Sequence, residues 1–351
     1  MFAILARMAL RWALAENEAG GTLFADERVA ERHVGKGAYA GMEFLHVNAR
    51  TIINTVPAES RMPFRHTINP YRGCSHACVY CFARPTHDYL GLGIGTDFER
   101  KIVVKVNAIE RLRAELRAPS WGGDHIAMGT NTDPYQHAEG KYHLTRGIVE
   151  TLSGARNPFS ILTKSTLILR DAALLAAACE RTEVAVSFSV GTLDRSVWSI
   201  TEPGTPPPDR RVEALRRLTA LGIPCGVLVA PVLPGLSDSE AQLTEVVEAC
   251  ADAGAVSISG VALHLRGTVR GHYLDWLRGE RPDLLRLHRE RFQRGAYQAD
   301  DERQRIEGIV RAAARRCGVS GRNRYRGTPP VRAQARTPGP AAEAGQQLSL
   351  L

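Results

Sequence analysis

The segment NPYRGCSHACVYCFAR, residues 69–84, carries the most informative pattern of the chain, three cysteines with CxxxCxxC spacing. Cys74, Cys78 and Cys81 follow a short apolar run that we predict to be a strand, so the spacing places three thiols on one loop at its end. Iron–sulfur clusters are held by cysteine thiolates, usually four. Because no fourth cysteine lies nearby, the pattern predicts a cluster with one iron open to a ligand from outside the protein.

The residues around the cysteines agree with a bulky inorganic group on this loop. Gly73 allows the backbone to turn before Cys74, and Tyr80 and Phe82 flank Cys81, where we expect both rings to shield the cluster from water. The alternative is a structural zinc site completed by a remote histidine or cysteine, although zinc sites usually use CxxC pairs and the chain has no second pair. A ferredoxin-like electron carrier would need a fourth cysteine.

Composition and charge limit the class of protein. With 351 residues, 44% hydrophobic and 23% charged, the chain is ordinary for a globular protein with a large core. A net charge of +8 indicates a polyanionic partner such as nucleic acid, and solvated arginine-rich faces are the alternative. Seven cysteines, three of them clustered, favour the reducing cytoplasm over a secreted disulfide scaffold. Residues 1–20 do not resemble a signal peptide, Met8 is an alternative start, and we expect no membrane segment.

Short apolar runs alternate with longer amphipathic stretches through the middle of the chain. This alternation predicts an α/β fold with a parallel sheet, either doubly wound or a closed or partial βα barrel. The predicted strands are Phe64–Pro70, His125–Gly129, Phe159–Thr163, Val184–Val190, Gly226–Pro231 and Ala255–Leu263. The predicted helices include Val103–Arg117, Arg211–Leu221 and Asp238–Ala253, the last capped by Asp238. We divide the chain into an N-terminal extension (1–60), the α/β domain (61–270), a C-terminal helical region (271–318) and a disordered tail (319–351).

The cysteine segment resembles the signature of radical S-adenosylmethionine (SAM) enzymes, and the longer string resembles the spore photolyase-related, DNA repair photolyase-like branch. The resemblance covers residues 50–290 and implies a partial (βα)6 barrel of the TIM type. It also implies that Cys74, Cys78 and Cys81 hold a [4Fe–4S] cluster whose open iron binds SAM. Reductive cleavage of SAM then gives methionine and a 5′-deoxyadenosyl radical, with a reductant such as flavodoxin or ferredoxin as electron donor.

The resemblance further implies where SAM is contacted, at the carboxyl ends of the strands. The run MGTNTDPYQ, residues 128–136, ends the second predicted strand where the family binds the amino group of SAM; Asp133 is alternatively a simple turn residue. Lys164 suits the SAM carboxylate or a substrate phosphate, and small residues of the fourth strand leave room for the ribose. With Val232 proposed beside the adenine, the predicted cofactor-binding residues are Tyr80, Gly129, Thr130, Asn131, Thr132, Lys164, Ser187, Ser189 and Val232.

The substrate is less constrained by the sequence than the cofactor. Three hypotheses compete: a radical SAM enzyme that acts on DNA, as in the repair of a damaged base; one that modifies RNA, a protein or a small molecule; and a non-catalytic nucleic-acid-binding protein stabilised by a metal. His264 and Arg266 follow the sixth strand, where they suit a phosphate. Spore photolyase relays hydrogen through a further cysteine that has no match here, which argues against spore-lesion repair. The terminal residues Gln347–Leu351 resemble the peptide with which bacterial repair proteins bind the sliding clamp.

Overall fold

The computed structural model describes residues 29–57, 59–60 and 62–319. Its strands are β1 (Val29–Val34), β2 (Glu43–Val47), β3 (Ile53–Thr55), β4 (His66–Ile68), β5 (Tyr71–Arg72), β6 (Lys101–Lys105), β7 (Ile126–Met128), β8 (Phe159–Thr163), β9 (Val184–Ser189), β10 (Cys225–Val232) and β11 (Ser257–Ala262). Its α-helices are α1 (Thr96–Arg100), α2 (Ala108–Leu116), α3 (His137–Tyr142), α4 (Leu144–Gly154), α5 (Ala172–Cys179), α6 (Arg195–Thr201), α7 (Pro208–Ala220), α8 (Glu240–Asp252), α9 (Thr268–Glu280), α10 (Leu285–Arg291) and α11 (Asp300–Arg316). Short 3-10 helices lie at Gly37–Tyr39, Arg84–Thr86, Asp88–Leu90, Thr166–Asp171 and Pro282–Leu284.

Six of these strands form a parallel sheet in the order β11-β10-β9-β8-β7-β4, with β3 added antiparallel to β4 at the edge. All six were predicted from the sequence, and the α/β partial barrel is confirmed. Helices cover the outer face; α11, for example, packs on β11 through Ile306 and Val310, which would contact a Cβ added to Gly260. The carboxyl ends of the six strands therefore meet on one side of the molecule, where βα barrels build their sites.

Side-chain alternation separates a packed outer face from a lumen of small residues. In β9 the outward Val186 and Phe188 are fully buried in the main core, while Ala185 and Ser187 are only partly buried. Along β10, a Cβ added to Gly226 would meet the hydroxyls of Ser187 and Ser257, its paired neighbours on β9 and β11, so both serines lie on the lumen face on either side of this glycine. The barrel interior is consequently not filled by large apolar side chains at these levels.

A second sheet, β1-β2-β6-β5, was not predicted. Strands β1 and β2 come from the predicted N-terminal extension (1–60), and β6 overlaps the first three residues of the predicted helix Val103–Arg117. Lys101–Lys105 (KIVVK) instead forms a buried strand because its β-branched run suits a sheet, and the helix starts only at Ala108 after Asn107. The short β5 pairs antiparallel with β6 immediately before the cysteines, so this sheet fixes the entry to their loop.

Other helix predictions are correct within a few residues, except for one cap. Helix α8 is capped by Ser239 in a capping box with Gln242, and Asp238 instead accepts a hydrogen bond from Gly235 N at 2.9 Å. Helices α9–α11 occupy most of the stretch predicted as a helical region. The predicted domain boundaries themselves stay a prediction. Across the described ranges, no helix combines the length and apolar character needed to cross a bilayer.

Candidate active site

The three cysteines lie on the loop between β5 and α1, which we call the cysteine loop (residues 73–83). Cys74 and Cys78 are buried and Cys81 is partly buried. Gly73 has a φ of 80°, and a Cβ there would lie 2.8 Å from both Phe98 O and a His87 ring carbon. Only glycine fits this position, and Cys74 N then donates to Phe98 O at 2.9 Å. The start of the loop is therefore fixed against α1.

Two side chains of the polar run after β7 bind the same loop. Thr132 Oγ1 donates to Gly73 O at 2.7 Å, and Gln136 Nε2 donates to the same oxygen at 2.9 Å. Gln136 Oε1 accepts from Ser75 N at 3.0 Å, so its amide holds the backbone on both sides of Cys74. Thr132, predicted to contact SAM, thus supports the cysteine loop. The density of polar residues at 130–136 was the signal that this run does more than turn the chain.

A buried arginine supports the other half of the loop. The guanidinium of Arg84 is fully buried and donates to backbone carbonyls of residues 77, 78, 94 and 95. It also pairs with Glu99 at 2.7 Å. Sequence analysis did not single out this residue, although a buried arginine requires such a set of acceptors.

His76 and Asp133 form a buried pair between the loop and the strand ends, with His76 Nδ1 3.4 Å from Asp133 Oδ2. Asp133 also accepts from Thr163 Oγ1 and Lys164 N, each at 2.7 Å, which ties the exits of β7 and β8 together. Burial opposes charge on both groups, but the mutual attraction prevails: it lowers the pKa of Asp133 and raises the pKa of His76 to about 10. Asp133 is thus more than a turn residue.

The donor set fits a cluster better than a single zinc ion. Within the described ranges, three histidine, cysteine or acidic ligand atoms lie within 4.8 Å of one another only at Glu31, His33 and His46, not at the cysteines. A structural zinc ion takes four protein ligands, and the described residues bring no fourth ligand atom together with the three thiols, which suits a cluster with one iron left for an outside ligand. Burial raises the pKa of the Cys78 thiol, and that of Cys81 to about 11, so metal binding must displace protons here.

Beside the cysteine loop, a buried carboxylate organises four polar side chains. Glu202 accepts hydrogen bonds from the Tyr80 hydroxyl and from the Arg211 guanidinium, and lies 3.7 Å from Lys164 Nζ. Lys164 in turn donates to the Ser189 hydroxyl. Although burial opposes its charge, Arg211 and Lys164 lower the pKa of Glu202 to about 2. Tyr80, Lys164 and Ser189, predicted separately to contact the cofactor, are therefore brought together, and Glu202 is the residue that joins them.

The remaining predicted residues line the neighbouring strand ends. Gly129 has a φ of 89°, and a Cβ there would lie 2.0 Å from Leu162 O, so glycine is required for β7 and β8 to stay paired at their ends. Asn69, at the end of β4, holds the next two residues: its Nδ2 is 3.2 Å from Thr130 Oγ1, and its Oδ1 accepts from Asn131 N at 3.1 Å. The predicted contacts at 129–131 thus lie beside the cysteine loop.

Two predicted residues lie elsewhere than expected. Val232 is fully buried in the main core, because the pairing of β10 with β11 shifts register between Val229 and Val232 and interrupts the alternation; the structure does not bring it to the lumen. The Phe82 side chain is 52% exposed and packs on His264 instead of being enclosed with Tyr80. Cys225 begins β10, and Cys250 is buried in α8, as core thiols. Residues Gln347–Leu351 lie outside the described ranges.

Comparisons with known proteins agree with this geometry. A family model described as the radical SAM superfamily matches residues 68–247. An uncharacterised protein of Mycobacterium tuberculosis is 46% identical over 266 residues, which cover 76% of this chain and 78% of that protein. An uncharacterised protein of Methanocaldococcus jannaschii is 28% identical over 199 residues, 57% of this chain and 71% of that protein.

Solved structures of spore photoproduct lyase share the fold. One mutant matches with a TM-score of 0.59 and 18% identity over 79% of this chain and 80% of the other. A mutant with dinucleoside spore photoproduct matches with a TM-score of 0.58 and 20% identity over 78% of this chain and 79% of the other. At these identities the similarity establishes the architecture and no more.

Proposed function

The chain belongs to the radical SAM superfamily, and from this premise we propose that it binds a [4Fe–4S] cluster through Cys74, Cys78 and Cys81, cleaves SAM and acts on DNA. The observation that carries the proposal is the convergence of these three thiols with Lys164 and the Glu202 carboxylate at the carboxyl ends of the barrel strands. If the metal only stabilised the fold, the protein would not need charged groups in a barrel lumen that is otherwise lined by small residues.

A bound and reduced cluster would supply the electron that breaks a carbon–sulfur bond of SAM, giving methionine and a 5′-deoxyadenosyl radical. The protein's part is to hold and shield it. Gly73, Thr132, Gln136 and Arg84 fix the backbone on both sides of the cysteines, and the buried Tyr80 ring closes one side. With the loop fixed in this way, Cys74, Cys78 and Cys81 would hold the cluster and leave room for SAM to bind it.

SAM would be held by groups that already lie beside the loop. The Lys164 ammonium is the cation for its carboxylate, and the backbone and side chains at Gly129, Thr130 and Asn131 lie where its amino group is expected. Ser187 and Ser189 leave space and hydroxyls for the ribose. Because Val232 packs in the core, the partly exposed Ala230 and Pro231 of the same strand are better placed than Val232 to contact the adenine.

DNA is the proposed substrate on two grounds. The chain carries a net charge of +8, and its fold is that of a lyase solved with a dinucleoside photoproduct. We extend the proposal to a small reductant such as flavodoxin or ferredoxin, to sliding-clamp binding through Gln347–Leu351, and to the cytoplasm, where reduced thiols persist. All seven cysteines are free, as such a cluster protein requires.

Anaerobic reconstitution tests the enzyme proposal. We expect about four irons and four sulfides per chain, and 5′-deoxyadenosine on reduction with SAM. The single variants Cys74→Ala, Cys78→Ala and Cys81→Ala should abolish both, whereas Cys317→Ala, at an exposed cysteine, should change neither. Faster SAM cleavage in the presence of damaged DNA, but not of RNA or peptides, would support DNA as the substrate. Zinc in place of iron, or reduced protein that leaves SAM intact, would refute the proposal.

A further inference from the structure

Three aromatic rings form a continuous row at the mouth of the barrel. Phe82, directly after Cys81, is 52% exposed, and Tyr297, on the loop before α11, is 46% exposed. His264 lies between them, with ring centroids 5.8 Å from Phe82 and 5.7 Å from Tyr297. Exposed large aromatic rings are unusual on a surface without a partner, and here they lie beside the cysteine loop.

The row is built into the fold. His264 and Tyr297 form a backbone bridge, and Leu265 N donates to Ala296 O at 2.8 Å, so the loop before α11 is attached to the exit of β11. Burial and the nearby Arg266 lower the pKa of His264, which keeps its ring neutral at pH 7. The three rings are thus held in place while Phe82 and Tyr297 keep exposed surface.

Positive charge lies at the same edge. The Arg266 guanidinium sits 5.4 Å from the Tyr297 ring centroid, is exposed, and has no acidic group within salt-bridge distance among the described residues. The next residue, Gly267, is the N-cap of the thirteen-residue helix α9, which has no side-chain cap and no acidic side chain in its first turn. Arg303, also near Tyr297, is already paired with Asp300. Arg266 and the helix terminus therefore form an unneutralised positive edge beside the rings.

We propose that Phe82, His264, Tyr297 and Arg266 form a nucleotide-binding surface that stacks an unpaired base of a nucleic acid and binds its adjoining phosphate. Rings with flanking cations match the π face and phosphate of an unstacked nucleotide, and a protein partner would not need the charged edge. The position of Phe82 places the bound base beside Cys81, at the opening of the lumen. This inference rests on the proposed function in taking nucleic acid as the substrate class.

Binding of fluorescein-labelled single-stranded oligonucleotides to the reconstituted protein, followed by anisotropy, tests this surface. We expect Phe82→Ala to weaken binding about tenfold and Phe82→Trp to restore it, because either ring can stack on a base. Arg266→Gln should weaken binding and lower the slope of log affinity against log salt by about one. The matched controls are Val256→Ala, 50% exposed just before β11 at the opposite end of the barrel, and Arg113→Gln, exposed on α2; both should bind as wild type does.

DNA and RNA oligonucleotides of one sequence, and the DNA duplex, form the three arms. Weaker binding of either single strand by Phe82→Ala than by wild type supports the proposed nucleotide-binding surface. The single strand that wild type binds more tightly, DNA or RNA, identifies the nucleic acid that the surface takes. Equal affinity of wild type and Phe82→Ala, absence of binding, or tighter binding of the duplex overturns it. Because the binding assay does not involve SAM, protein that binds through Phe82 yet leaves SAM intact would refute the proposed catalysis and retain the surface.

Discussion

The carbonyl oxygen of Cys78 accepts two hydrogen bonds from Arg84, at 3.1 Å from Nε and 2.9 Å from a terminal nitrogen. The guanidinium is fully buried, and its remaining donors reach other carbonyls around the loop and the Glu99 carboxylate. One rigid planar group thus sets the backbone between the second and third cysteines, which a lysine could not do with a single point charge.

Replacing Arg84 should therefore lower both the stability of the protein and the amount of cluster that it binds. We expect Arg84→Met to lower the free energy of unfolding by about 3 kcal/mol, since several buried carbonyls and Glu99 lose their partner. Iron and sulfide content after reconstitution should fall, and Arg84→Lys should recover only part of either. Arg100→Met, at an exposed arginine of α1, is the control and should match wild type. If Arg84→Lys binds as much iron and sulfide as wild type, then the planar guanidinium with its several donors is not required to hold the loop.

Much of the barrel could be predicted because its six strands are short apolar runs bounded by turn residues. The second sheet could not: β6 is continuous in sequence with a helical pattern, and only its pairing with β2 and β5 distinguishes Lys101–Lys105 as a strand. The spacing of Cys74, Cys78 and Cys81 was enough to predict that they lie on one loop after a strand, while their role as cluster ligands stays a prediction. The roles of Arg84, Gln136 and Glu202 could not be predicted, because each depends on partners distant in sequence that only the fold brings together.

Glu202→Gln should destabilise the protein by about 3 kcal/mol, because Arg211 would keep a buried charge without its carboxylate. The pKa of Glu202 falls from an ordinary 4.5 to about 2 in the folded state, so its contribution is present above the unfolded value and is lost as pH falls toward 2. Urea unfolding should give a constant difference between wild type and variant above about pH 5, and a smaller one below it. Glu213→Gln, whose carboxylate pairs with Arg216 at the surface, should change stability by under about 0.5 kcal/mol. A difference that grows on acidification would contradict this assignment.

Lys164→Met should weaken SAM binding about tenfold or more while leaving the fold intact. The ammonium is the cation proposed for the SAM carboxylate, and Glu202 retains Arg211 as its buried partner when Lys164 is removed. Equilibrium dialysis of SAM against reconstituted protein measures the effect, and unfolding by urea checks stability. Lys36→Met, at an exposed lysine remote in sequence from the cysteines, is the control. Undiminished SAM affinity in Lys164→Met would place the carboxylate elsewhere.

Gly129→Ala should damage both the barrel and the SAM site. A Cβ at this position would lie 2.0 Å from Leu162 O, and the φ of 89° is strained for alanine whatever the space. The ends of β7 and β8 must then separate, and because β7 leads directly into the polar run, Thr132 and Gln136 would lose their alignment with Gly73 O. We expect unfolding to become easier by at least about 2 kcal/mol, together with weaker SAM binding. Gly279→Ala in α9 is the matched control: apart from its chain neighbours and the backbone of its own helix, nothing lies within 4 Å of the added Cβ, and the substitution should stabilise the helix by about 0.5–1 kcal/mol. If Gly129→Ala is as stable as wild type and binds SAM equally well, then the strand ends are not as closely packed as the distances to Leu162 require.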